Sequence, residues 1–199
     1  YAPVAGINIA YAVGSLWETD ETRGYSHLAE HMMFRGSDSF GPGEFWRIVQ
    51  RNGGIANAYT SRDLTVYFSV VPSSGLDDLL ELESDRMFHC SLRSEDVASE
   101  SSVIMEEELM TGRDDPDGSL DALMYSAAFP NHPYGRPITG TVEDIQAFSA
   151  DTLRRFHDDY YHPSNAVLSV VGSIGTDKLL GSVDALFGRG ESRRVSRPE

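Results

Sequence analysis

The chain is nearly without cysteine and nearly without lysine. Cys90 stands alone among 199 residues, which excludes an internal disulfide and any metal site built from several thiolates. It follows Met87 and Phe88 near the end of an apolar helix and reads as a buried structural thiol. Lys178 is the single lysine; the other basic residues are arginine, a habit of composition more than a mechanism. Positive charge is scarce as well, with 16 basic against 31 acidic residues and a net charge of −15. That balance argues against nucleic acid and anionic membrane as partners. An acidic groove could favour basic peptides, although a well-solvated acidic surface is the plainer reading. No run of 18 apolar residues occurs, so nothing here spans a membrane. No linker divides the middle of the chain, and one domain of this length can bury roughly 70% of its unfolded surface. The compartment stays open, with a soluble bacterial-type protein of cytoplasm or periplasm as the expectation.

What is present centres on residues 27–31, which read His27-Leu28-Ala29-Glu30-His31. On a helix, positions i, i+3 and i+4 share one face, so both imidazoles and the carboxylate project the same way. Two neutral imidazoles one turn apart can grip a zinc ion, and the carboxylate can deprotonate a water there. H-x-x-E-H is the inverted form of the zincin motif H-E-x-x-H. A helix bearing two ordinary surface histidines is the plain alternative.

Residues 4–13 alternate with Ile7, Ile9, Tyr11 and Val13 on one side, the signature of a strand. The motif helix spans 24–35 and stops near Gly36. A helix through Phe45, Trp46, Ile48 and Val49 ends at Asn52-Gly53-Gly54. Strands follow at 55–60 and 64–71, then helices at about 74–89, 94–111, 118–128, 141–147 and 150–161, a strand at 165–172 and a helix at 176–187. This order predicts an α+β fold, a single mixed or antiparallel sheet with helices packed mainly on one face. The domain is expected to occupy 1–187. The polar stretch 188–199 reads as a linker or disordered tail.

A catalytic zinc needs three protein ligands. On the helix 94–111, Val97, Val103, Ile104 and Met110 fall on one face, and Glu100 and Glu107 fall on it too. A carboxylate within an apolar stripe is costly unless compensated. A metal would compensate Glu107, and a hydrogen bond to a ligating histidine would satisfy Glu100. Glu106 and Glu95 point the opposite way, and Glu108, at the margin, competes with Glu107 for the ligand's place.

Five segments carry a wider resemblance: GYSHLAEHMMFRG (24–36), GGIANAYTSRDLTVY (53–67), ESSVIMEEE (100–108), HPYGRPITGT (132–141) and YYHPSNAVLSVVG (160–172). In order and spacing the chain resembles the M16 metallopeptidases, the family of pitrilysin, insulin-degrading enzyme and the mitochondrial processing peptidases. Glu107 lies 76 positions after His31 (107 − 31), where members carry their third ligand. The resemblance implies the M16 or LuxS-like metallohydrolase fold and one zinc ion held by His27, His31 and Glu107. It also implies Glu30 as general base, Glu100 as supporting carboxylate, and Asn57 and Ala58 as the residues that hold the substrate backbone. Independently, 55–60 reads as a short strand whose edge could accept an extended peptide.

Family enzymes pair such domains around the substrate, and an arginine–tyrosine pair from a different domain helps polarise the scissile carbonyl. No counterpart of that pair can be assigned here. The expectation is an N-terminal domain of a longer protein, or one piece of a complex, that needs a second M16-type domain or partner subunit to hydrolyse unstructured peptides. A non-catalytic assembly or peptide-binding subunit on the same fold is the competing class, and a zinc hydrolase of small molecules a third. His89, His132, His157 and His162 carry no catalytic signal.

Overall fold

The computed structural model describes residues 3–113, 115–190 and 193–196. β1 (Val4–Tyr11) buries Ala5, Ile7, Ile9 and Tyr11, as its period-two alternation requires. It pairs with β3 (Thr65–Pro72) on one side and with β4 (Ala166–Gly172) on the other, both antiparallel. β2 (Ile55–Thr60) completes the order β2-β3-β1-β4. A tight turn joins β2 to β3. In it the Ser61 hydroxyl accepts the Asp63 and Leu64 amides, and the Ser61 amide donates to Leu64 O at 2.8 Å. The turn fixes a register in which Thr60 faces Thr65 and Ala58 faces Tyr67.

Helices cover one face of this sheet. α1 (Tyr25–Met32), α3 (Leu76–His89) and α7 (Ala150–Tyr160) bring Leu28, Met32, Leu79, Leu80, Leu153 and Phe156 into one core with the inward residues of β1. The other face leaves Ile55, Tyr59, Val70, Val167 and Val171 exposed. The remaining helices are α2 (Glu44–Arg51), α4 (Ser94–Arg113), α5 (Pro116–Ala128), α6 (Val142–Gln146) and α8 (Thr176–Phe187). Among the described residues no helix is long and apolar enough to cross a membrane.

Details depart from the sequence reading. The motif helix ends at Met32, because Phe34 and Arg35 form tighter three-residue turns onto His31 and Met32. On α4 only part of the expected apolar stripe is inside. Val97 and Ile104 are buried, whereas Val103 is 38% and Met110 65% exposed. The helix meets the core along a narrower arc than the wheel suggested. Cys90 caps the C-terminus of α3 half-buried, its thiol 3.6 Å from Met32 O and pushed by burial up to about 12, so it is not a nucleophile. Beyond α8, the Arg193 amide donates to Ser164 Oγ at 3.1 Å and Val195 packs against the core. Residues 191–192 and 197–199 of the expected tail lie outside the described residues.

His157 on α7 is 5% exposed and stacks on Tyr161, ring centroids 5.1 Å apart. Burial, and then the charge of Arg154, pulls its pKa down to about 4. The unfolded chain therefore takes up this proton first. Stability is intact above the ordinary histidine pKa and falls as pH drops from about 6.5 to about 4, by up to about 3 kcal/mol for this residue. His157→Phe keeps the stacked ring and removes the titration. Urea midpoints measured at pH 7.5 and pH 4.5 should differ less in this variant than in the parent. Equal differences would show that His157 does not carry the charge.

Candidate active site

α1 begins without a cap of its own. Its N-cap is Gly24, in the left-handed region at φ 81°, and no side chain from the adjoining residues bonds the first turn. The carboxylate of Glu18, 4% exposed, fills the role from outside the helix. Oε2 accepts the Gly24 amide and Oε1 the Ser26 amide, each at 2.9 Å. This satisfies two of the orphan donors at the helix start and, when the carboxyl is ionised, places negative charge at the positive end of its dipole. Burial pushes the Glu18 carboxyl up to about 7 against the pull of these two donors.

So anchored, α1 turns Leu28, Ala29 and Met32 to the core and His27, Glu30 and His31 away from it. The imidazoles lie side by side, ring centroids 4.6 Å apart. α4 crosses here and delivers Glu107, whose Oε2 is 3.5 Å from His31 Nε2 and 3.9 Å from His27 Nε2. One ligand atom from each of the three residues lies within 4.8 Å of the others. Tetrahedral zinc with bonds of about 2.1 Å spaces its ligand atoms about 3.4 Å apart, so two nitrogens and an oxygen at these separations suit that ion. Glu108 is turned elsewhere: it accepts the Thr139 hydroxyl.

The surroundings set the protonation of each group. His31 Nδ1 meets Glu100 Oε2 at 2.8 Å, and Arg35 binds the other Glu100 oxygen. Donation from Nδ1 leaves Nε2 with a free lone pair toward Glu107 and His27. Burial pulls His31 down, but its bond to Glu100 and the charges of Glu107, Glu100 and Glu30 outweigh it, and its pKa lies above the ordinary value. Glu100 is 5% exposed. Burial raises its pKa, and its bonds with His31 and Arg35 more than reverse the effect. Burial, and then the neighbouring His31, drives His27 down to about 4, which keeps its ring neutral as a ligand must be. The carboxyl of Glu30 is raised by burial, against the pull of the Thr60 hydroxyl, which donates to Oε2 at 2.6 Å.

The structure thus brings His27, Glu30, His31, Glu100 and Glu107 into one cluster. Asn57 and Ala58 lie on β2, the strand whose Thr60 bonds Glu30 and a sheet edge paired only with β3 among the described residues. Their faces differ: Ala58 turns inward with Tyr67 and Asn57 outward, where its Oδ1 accepts the Ala58 amide at 2.9 Å. Arg35, Thr60 and Glu18 were missed from sequence. Arg35 had a signal, since it follows His31 by one helical turn and a buried Glu100 needs a cation.

Residues 1–142 match the family model described as Insulinase (Peptidase family M16), and 147–198 match that of the Peptidase M16 inactive domain. The chain belongs to peptidase family M16. Among its M16 relatives are an uncharacterized zinc protease, YmxG, of Bacillus subtilis and the zinc protease PqqE of Helicobacter pylori. The first is 34% identical over 97% of this chain and 48% of its own length, the second 35% identical over 88% and 40%. The crystal structure of a protease from Helicobacter pylori superposes with a TM-score of 0.92 at 31% identity, over 98% of this chain and 48% of that one. The ferredoxin protease FusC, solved in complex with Arabidopsis ferredoxin, superposes with a TM-score of 0.87 at 27% identity, over all of this chain and 22% of that one. The chain spans about half the length of the curated M16 relatives it matches.

Proposed function

We propose that this chain is the metal-bearing domain of a zinc endopeptidase that hydrolyses extended, unstructured peptides. The observation that carries the reading is the meeting of two imidazole nitrogens and one carboxylate oxygen within 4.8 Å, with Glu30 on the same helix face. His27, His31 and Glu107 hold one zinc ion. Zinc in this place supplies Lewis-acid activation of a water and of the scissile carbonyl. Glu30 takes the proton of the attacking water and passes it to the leaving nitrogen, a task suited to a carboxyl raised above its ordinary pKa. Thr60 fixes Oε2 of Glu30 and leaves Oε1 for the proton. Glu100, held by Arg35, keeps His31 in the tautomer that binds metal.

Substrate enters as an added strand along β2, its backbone held at Asn57 and Ala58. The second half of the active enzyme is another M16-type domain or subunit, a reading supported by relatives about twice as long as this chain. The test is cleavage of a mixed unstructured peptide pool by the zinc-loaded chain, alone and with a second M16-type domain or subunit. Cleavage that requires the second component supports a split site. No cleavage in any combination, with zinc bound, would make this an assembly subunit instead.

A further inference from the structure

α4 presents three carboxylates in succession, Glu106, Glu107 and Glu108, and a helix turns about 100° per residue, so Glu106 points away and Glu107 and Glu108 compete for the site. The rotation of α4 about its own axis therefore decides which carboxylate meets His27 and His31. One residue outside both helices touches the parts that matter. The Thr139 hydroxyl donates to Glu108. The carbonyl oxygen of the same residue sits against the start of α1, where a Cβ on Gly24 would lie only 2.4 Å from it. The segment carrying Thr139 is anchored on both sides. Upstream, the Arg136 guanidinium donates to Glu18 O and Asp20 Oδ1, each at 3.2 Å, on the loop that caps α1. Downstream, Thr141 and Asp144 close a reciprocal capping box at the start of α6.

We propose that Thr139 is a positioning residue for the metal centre. Its backbone bears on the first turn of the histidine helix and its side chain occupies Glu108, which fixes the rotation of α4 at which Glu107 faces the imidazoles. The proposal rests on the zinc reading of the site. It also gives a task to the HPYGRPITGT segment, which the catalytic reading leaves unused.

The test compares the parent with Thr139→Val, which keeps the shape and loses the donor, and Thr139→Ser, which keeps the donor. Zinc affinity is read by competition with a chromophoric chelator, ligand geometry by the visible spectrum of the cobalt(II)-loaded protein, and folding by the thermal midpoint of the metal-free protein. Thr139→Val should bind zinc about 10- to 100-fold more weakly, the range typical of groups that orient metal ligands. Its cobalt bands should shift and its metal-free midpoint stay close to the parent's. Thr139→Ser should return to within about threefold of the parent, as expected where the hydroxyl is what matters. Parent-like zinc affinity and an unchanged cobalt spectrum in Thr139→Val would overturn the proposal. A parent that does not bind zinc would instead overturn the reading of the site. Should Thr139→Val fail to fold, Glu108→Ala removes the same hydrogen bond from the other side. A tenfold weakening there supports the proposal, and unchanged affinity refutes it.

Discussion

Glu30→Gln should leave zinc binding intact and slow peptide cleavage by about 100- to 10,000-fold, the span over which general bases act. The substitution is nearly isosteric, and its amide oxygen can still accept the Thr60 hydroxyl that now donates to Glu30 Oε2 at 2.6 Å. The fold therefore has little reason to respond. What disappears is the proton acceptor: an amide cannot take a proton from water at neutral pH. Zinc stoichiometry and turnover of a fluorogenic peptide, measured on one preparation in the presence of the proposed second M16-type domain or subunit, separate the two effects. Full turnover in the variant would sink the assignment of Glu30, and loss of zinc would show that Glu30 belongs to the metal-binding set.

The second large effect is expected at His27. His27→Ala removes one of the three proposed ligands and should weaken zinc binding by more than about 100-fold, beyond what the loss of a supporting partner costs. Stability of the metal-free protein should barely change. The His27 ring is mostly buried, its Nδ1 has no hydrogen-bond partner among the described residues, and burial already holds its pKa near 4. Deleting a buried polar group that lacks a partner relieves a penalty that offsets part of the lost packing. A chelator titration together with a metal-free melt tests both halves. His27→Ala with parent-like zinc affinity would take His27 out of the site. His31→Ala should also lose zinc, but it takes one of two partners from the buried Glu100, leaving only the partly exposed Arg35, and so should destabilise the metal-free protein as well.

Much of this site could be read from residues because helix geometry is local. The spacing of His27, Glu30 and His31 decides by itself that they share a face. Glu100 could be singled out on α4 because an acidic residue within an apolar stripe demands an explanation, and it is buried. Glu107 shares its phase, but its side chain is 45% exposed, so the stripe imposes less of that cost on it than the phase suggested. The wheel was less reliable about the stripe's width. Val103 and Met110 have the right phase and remain exposed, since phase says nothing of how broad an arc the neighbouring elements cover. The choice between Glu107 and Glu108 was only half legible: the wheel favours Glu107 and leaves Glu108 at the margin, and the Thr139 hydroxyl that holds Glu108 lies 31 positions away. Thr60, 30 residues from Glu30, and Glu18, which reaches back from a loop to cap a helix that lacks its own cap, are likewise products of tertiary assembly. No local periodicity marks them. Arg35 is intermediate: the sequence places it at the end of the motif helix, the structure just beyond that end, and its partner is 65 residues distant.

The register of β2 on β3 carries a further consequence. Thr60 reaches Glu30 only because Thr60 pairs with Thr65 and thereby lies on the helix-covered side of the sheet. Side chains alternate with a period of two, so a slip of one residue in this hairpin would send Thr60 to the open side and bring Tyr59 beneath α1. The slipped ladder could re-form its backbone bonds, and His27, His31 and Glu107 are carried on α1 and α4, outside the slipped strand. A protein misassembled in this way would keep all three proposed ligands on their helices, yet the proposed base would be unaligned. Metal content would then be a poor assay of correct folding for this chain, and the chemical shift of the Thr60 methyl a better one.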